Sequence, residues 1–66
     1  MDKLEILDYL DYALSMLEHE IEIYKVALRI CDFETAKSEV WHIEEKSNYV
    51  EMNARAYRDK LNEIEQ

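Results

Sequence analysis

The sequence predicts an all-α protein, a two-helix antiparallel hairpin that dimerises into a four-helix bundle. The 66 residues include no glycine and no proline, and residues that favour helices are abundant. Apolar residues recur at spacings of three and four along nearly the whole chain. In the first half they cover a wider arc than one neighbouring helix can bury, so this half is expected to need a second copy.

The first helix is predicted over residues 2–31. Asp2 and Glu5 have the spacing of a capping box, in which side chains bond the free backbone N–H groups at the start of a helix. The main apolar seam of this helix contains Leu7, Leu10, Leu14, Leu17, Ile21, Tyr24, Leu28 and Cys31. A second seam beside it is the predicted dimer interface and contains Tyr9, Tyr12, Ala13, Met16, Ile23, Val26, Ala27 and Ile30.

The break between the helices is predicted from the phase of the apolar pattern. The first seam, continued past Cys31, would reach the polar Thr35 and Ser38, whereas a new seam starts at Phe33. Asp32 is the expected N-cap of a second helix over residues 33–65. The seam of that helix contains Phe33, Ala36, Val40, Ile43, Ser47, Val50, Ala54, Tyr57, Leu61 and Ile64. One uninterrupted helix is the alternative, because part of the second seam stays in phase with the first helix.

The charge of the chain limits its partners. Sixteen acidic and eight basic residues give a formal net charge of −8, and such a surface repels nucleic-acid phosphates and anionic lipid. No apolar run approaches the roughly 20 residues that cross a bilayer. Neither nucleic acid nor membrane is therefore an expected partner. The single cysteine, Cys31, and the acidic start without a secretory leader predict a cytoplasmic protein.

The two ends of the predicted hairpin differ in charge. Residues 2–11 carry a net charge of −3 and residues 59–66 carry −2, and both segments lie at the open end. Residues 25–39, at the loop end, are neutral in sum. An antiparallel dimer separates the two acidic ends, which is favourable within the screening distance of about 8–10 Å.

Glu20 interrupts the apolar arc of the first helix, and a buried carboxylate needs a partner. Folding about residues 32–33 brings Glu20 level with Lys46, one turn from His42, and Glu39 lies three residues before His42. A glutamate from one helix and a Glu-x-x-His pair from another, doubled by symmetry, form the ligand set of ferritin-like di-iron and di-manganese bundles. The expected arrangement is an ion pair between Glu20 and Lys46, with no cofactor. The alternative is a metal site that holds iron or manganese through Glu20, Glu39 and His42.

Trp41 falls on the charged side of the second helix. Exposed tryptophan and methionine residues commonly anchor protein partners. The predicted partner-binding surface contains Trp41, Glu45, Asn48 and Met52. The acidic charge favours a basic partner, such as the nucleic-acid-binding surface of another protein. The alternative is that Trp41 packs over its neighbours or at the edge of the dimer.

No catalytic residue is predicted. The serines lack the glycine turns that present nucleophiles, glycine loops for phosphate are absent, and Cys31 has no adjacent histidine or lysine. The main functional prediction is a small, non-catalytic binding or regulatory protein that acts as a homodimer on a protein target. Two alternatives stay open. One is the di-metal bundle, with an oxidase-like or iron-storing role, and the other is a purely structural assembly unit.

Overall fold

The computed structural model is an antiparallel hairpin of two long helices, about 49 Å long and 16 by 14 Å across. It describes residues 3–65, with side chains described through Glu63. Helix α1 spans Lys3–Arg29 and helix α2 spans Phe33–Glu65. The predicted all-helical hairpin is confirmed. Within the described range, neither helix combines the length and the apolar composition that crossing a bilayer requires.

The predicted limits agree closely with these bounds. The alternative of one uninterrupted helix is wrong, because the chain reverses direction at residues 30–32. The predicted start at residue 2 and its capping box with Asp2 lie outside the described residues.

The reversal is a Schellman turn. The N–H of Asp32 donates to the carbonyl of Ala27 at 2.9 Å, and the N–H of Cys31 donates to the carbonyl of Leu28 at 3.2 Å. Cys31 adopts a left-handed φ of 58°, at the position where helices usually carry glycine. These bonds satisfy the carbonyls of Ala27 and Leu28 in the last turn of α1, and the helix ends two residues before its predicted limit.

Replacing Cys31 with glycine should raise the melting temperature. The left-handed conformation destabilises a residue with a Cβ by roughly 1–2 kcal/mol, and glycine removes this cost. Part of the gain is lost because the unfolded chain has more conformational freedom with glycine. We expect a net gain of about 1 kcal/mol, or roughly 4–8 °C in a thermal unfolding experiment followed by circular dichroism. Cys31→Ser keeps the Cβ and removes the thiol, so it should leave the melting temperature unchanged. A serine variant as stable as the glycine variant would contradict this explanation.

Asp32 also begins α2, as the sequence predicts. Its Oδ1 accepts the Thr35 N–H at 3.2 Å, its Oδ2 accepts the Thr35 hydroxyl at 2.6 Å, and its carbonyl accepts the Ala36 N–H at 3.1 Å. The hydroxyl bond and, after it, the backbone bond from Thr35 lower the pKa of Asp32 below its ordinary value of 3.8. One residue therefore closes the turn of α1 and caps α2.

The cap should weaken in acid. Because the folded pKa of Asp32 lies below the unfolded value, its stabilisation is complete above pH 3.8 and is lost as the pH falls through the folded pKa. Asp32→Asn keeps an acceptor for the Thr35 N–H but does not titrate, so it should lose less stability than the wild type between pH 5 and about pH 2. Melting temperatures across this range measure the difference. Identical acid profiles for the two proteins would show that the cap does not depend on the charge.

The packed face of α1 has a spacing of seven residues. Ile6, Ala13 and Ala27 are buried, and the half-buried Glu20 completes the series. On α2 the buried residues are Ala36 and the acidic Glu39. Three small side chains let the two helices approach closely on this side. The packed face of each helix therefore carries a glutamate next to small side chains, Ala13 and Ala27 on α1 and Ala36 on α2.

The predicted main seam of α1 lies only partly on the face that packs, because Leu10, Leu17 and Tyr24 are half-buried whereas its other members are exposed. Four of its members, spaced seven residues apart, are exposed, and we call them the leucine stripe: Leu7, Leu14, Ile21 and Leu28. On α2 the buried or half-buried members of the predicted seam are Ala36, Ile43, Val50, Tyr57 and Leu61. Its exposed members are Phe33, Val40, Ser47 and Ala54, while Ile64 lies outside the described side chains. Apart from Ser47, the predicted seam of α2 was apolar, whereas the structure buries or half-buries Glu39, Lys46 and Asn53 on this helix.

A single hairpin leaves most of its large apolar side chains exposed. Among the described large side chains, Ile6 alone is fully buried. The exposed ones are Leu4, Leu7, Tyr9, Tyr12, Leu14, Ile21, Val26, Leu28, Ile30, Phe33, Val40, Trp41, Tyr49 and Met52. This is a larger apolar surface than monomeric proteins in water usually expose.

Candidate metal centre

Two carboxyl groups meet between the helices near the middle of α1. Glu39 is only 6% exposed and Glu20 is half-buried. The Glu39 carboxyl lies within hydrogen-bonding reach of the Glu20 carboxyl. Its Oε1 atom is buried and has no hydrogen-bond partner among the residues that the structure describes. A carboxyl group in this environment has to hold a proton or a cation.

The spacing of the sequence places both groups there. Glu20 follows Ala13 by seven residues and precedes Ala27 by seven, so it lies at the centre of the packed face of α1. Glu39 lies three residues after Ala36 on the packed face of α2. Because the alanines allow close approach of the helices, the two carboxyl groups are held between them.

The carboxyl pair raises the pKa of Glu39. The largest cause is the hydrogen bond with Glu20, which requires one of the two groups to carry a proton, and burial and the negative charge of Glu20 add to it. His42 and His19 lie near enough to act in the opposite direction. A carboxyl pair with two neighbouring histidines is therefore built into one hairpin.

Both histidines are exposed on the same side of the hairpin. His19 and Thr35 line one groove of about 290 Å³ between the helices. His42 follows Thr35 by seven residues, so it lies on the same ridge of α2. The sequence analysis assigned no role to His19. Its position directly before Glu20 was the one sequence feature that indicated a place near the carboxyl pair.

One chain brings together two of the predicted ligands. Within residues 3–65, no three histidine, cysteine or acidic side chains come together closely enough to hold a metal ion. The structure brings the predicted Glu20 and Glu39 together and leaves His42 exposed one turn away. In di-metal bundles the other ligands come from two further helices.

Lys46, the expected partner of Glu20, makes a different ion pair. Its Nζ atom lies 3.2 Å from Oε1 of Glu45, its neighbour on α2. The contact that the structure gives for this ammonium group is therefore with Glu45 on the same helix.

Overall similarity to other proteins assigns no role to this centre. No family model, curated protein or solved structure matches the chain. Its function is inferred from its own residues.

The structure brings together three of the four predicted partner-binding residues. Glu45, Asn48 and Met52 line a groove of about 260 Å³ together with Met16 of α1. Trp41 does not line this groove, and its ring meets the His42 ring edge-on at 5.3 Å. Trp41 and Met52 are 63% and 68% exposed, so packing within one hairpin does not cover them.

The predicted dimer interface needs one correction. Ala13 and Ala27 are buried in the hairpin's own seam, because their small side chains allow α1 and α2 to come close. The other six members are half-buried or exposed on α1, and we call them the Tyr9–Ile30 stripe: Tyr9, Tyr12, Met16, Ile23, Val26 and Ile30. Tyr9 stacks on Tyr57 with ring centroids 5.9 Å apart, which joins the helices near their open end. The stripe borders the side of the hairpin on which the histidines lie.

Proposed function

We propose that two copies of this chain form a four-helix bundle that binds two transition-metal ions, iron or manganese, through Glu20, Glu39 and His42 of each copy. The observation that carries the proposal is the buried Glu39 carboxyl, which faces a second carboxyl and has an unpartnered oxygen. A divalent cation would replace the shared proton and satisfy that oxygen.

The chemistry of the donor set supports iron or manganese. Two copies bring four carboxylates and two imidazoles, which is the composition of di-iron and di-manganese centres in helical bundles. Carboxylate suits manganese and imidazole suits iron, whereas a structural zinc site commonly includes thiolates. The one cysteine, Cys31, lies in the turn and outside this set. The bound ions would supply one-electron redox chemistry, in keeping with an oxidase-like or iron-storing role.

The exposed apolar surface supports the second copy. A hairpin with four small or medium-sized buried apolar residues has little core of its own. Packing two hairpins face to face covers a large part of the exposed α1 side chains. The same association brings two half-sites into one bundle.

Trp41 provides a direct test of metal binding. It is the one tryptophan of the chain, and its ring lies 5.3 Å from that of His42. Titration with Fe(II) or Mn(II) without oxygen should quench its emission, saturate at one ion per chain and raise the melting temperature. Glu44→Gln, which removes an exposed carboxylate elsewhere on α2, should bind as the wild type does. Unchanged emission and an unchanged melting temperature in the wild type would overturn the proposal.

A protein-binding function is the second candidate, because Trp41 and Met52 remain largely exposed. The partner would be basic, drawn by the net charge of −8. An arginine-rich peptide should shift Trp41 emission to shorter wavelength, and added salt should weaken the effect. Met52→Ser should reduce the affinity for the peptide without changing the oligomeric state of the protein. No shift at low salt would contradict this function, and a protein that binds neither metal nor peptide would be left with the purely structural role.

A further inference from the structure

The Tyr9–Ile30 stripe is symmetric about the carboxyl pair. Tyr9 and Ile30 are equally far in sequence from the His19–Glu20 peptide bond, and so are Met16 and Ile23. The remaining two members, Tyr12 and Val26, are each seven residues from His19. A helix with such a pattern can pack antiparallel on a copy of itself so that Tyr9 lies near Ile30, and Met16 near Ile23, of the second copy.

The leucine stripe is centred elsewhere. Its outer members, Leu7 and Leu28, and its inner members, Leu14 and Ile21, are symmetric about the Leu17–Glu18 peptide bond. Antiparallel packing there would displace the two half-sites along the bundle by about 6–8 Å, at 1.5 Å per residue. It would also leave the exposed histidines on the outer side of the assembly. Only the Tyr9–Ile30 stripe aligns the two half-sites.

The charges along α1 favour the same orientation. Asp8 and Asp11 lie in its first half, while Lys25 and Arg29 lie near its end. In an antiparallel pair the acidic half of one helix lies beside the basic end of the other, and Asp11 of one copy comes level with Arg29 of the second copy. A parallel pair would place like charges side by side.

We propose that a second copy of this chain packs antiparallel on the Tyr9–Ile30 stripe, with α1 against α1 and the two-fold axis passing level with Glu20. The metal-binding role of this arrangement rests on the proposed function. Because Glu39 lies beside Glu20, the same axis brings the two α2 helices together at Glu39 and His42. Both copies then contribute ligands to one centre.

Engineered disulfides test the surface and the orientation together. Tyr9 and Ile30 lie about 31 Å apart on one helix but adjacent across the proposed interface. In a Cys31→Ser background, the double variant Tyr9→Cys with Ile30→Cys should therefore oxidise to a covalent dimer, while each single variant should not. Failure of the double variant to cross-link, or equal cross-linking by a single variant, would overturn the proposal.

The wild-type chain offers an independent measurement. Cys31 is exposed at the turn, so a nitroxide label can be attached to the native thiol. Pulsed dipolar spectroscopy on the metal-free protein should give a label separation of about 35 Å, whereas a parallel dimer would give less than about 20 Å. A short distance in a protein that binds metal would overturn the orientation and leave the proposed function standing. A distance near 35 Å with the expected cross-link, in a protein that binds no metal, would support the orientation and overturn the proposed metal binding.

Discussion

Replacing Glu39 with glutamine should abolish metal binding and stabilise the metal-free protein. Glutamine has the same shape, and its amide can donate to the Glu20 carboxylate in place of the shared proton. It cannot serve as an anionic ligand. We expect the affinity for Fe(II) or Mn(II) to fall by more than about 100-fold, since loss of partners outside the ligand shell alone costs about 10–100-fold. Trp41 quenching measures the affinity.

The stability change should depend on pH. In the wild type the folded pKa of Glu39 lies above its ordinary value of 4.5, so its contribution is complete below pH 4.5 and is lost as the pH rises through the folded pKa. The glutamine variant does not titrate at this position. Its melting temperature should exceed that of the metal-free wild type by several degrees at pH 8 and by less at pH 5. If the difference in melting temperature did not change with pH, or if Glu44→Gln showed the same pH dependence, the carboxyl pair would not be the cause of the stabilisation.

Replacing Ile23 with glutamate should dissociate the proposed dimer. Ile23 lies in the middle of the Tyr9–Ile30 stripe, where a second copy would bury the new carboxylate without a partner. We expect the dissociation constant to rise by more than about 100-fold, which corresponds to about 2.7 kcal/mol. Analytical ultracentrifugation at micromolar concentration should then find mainly single chains.

Ile21→Glu is the matched control. Ile21 lies two residues from Ile23 but belongs to the leucine stripe, on the opposite side of the packed face. It introduces the same charge at the same level of α1 and should leave the dimer intact. If Ile21→Glu separates the chains and Ile23→Glu does not, the second copy occupies the leucine stripe instead.

The helices and their break follow from the sequence because the signals are local. The spacing of apolar residues predicts two helices, and the change of phase together with a capping aspartate at Asp32 predicts the turn. The type of turn was not predictable, since it depends on a left-handed Cys31 in place of the usual glycine. No propensity indicates that a cysteine will occupy this position.

The packed face of α1 was predicted only in part, because apolar residues cover most of the circumference of this helix. The period alone does not distinguish the arc that meets α2 from the arcs that flank it. The packed face of each helix is the one that carries the buried alanines Ala13, Ala27 and Ala36. Glu20 lies on the same face of α1 as Ala13 and Ala27, so it is turned toward α2. The juxtaposition of Glu20 and Glu39 was still foreseen as a possible ligand set, because a carboxylate within an apolar arc requires a partner.

Native mass spectrometry of the metal-loaded protein tests most directly whether each chain is half of a metal-binding assembly. We expect a complex with twice the 8.0 kDa mass of one chain and two bound metal ions. Glu39→Gln should give the same two-chain complex without the ions. A folded, metal-free species of 8.0 kDa at micromolar concentration would contradict the central claim.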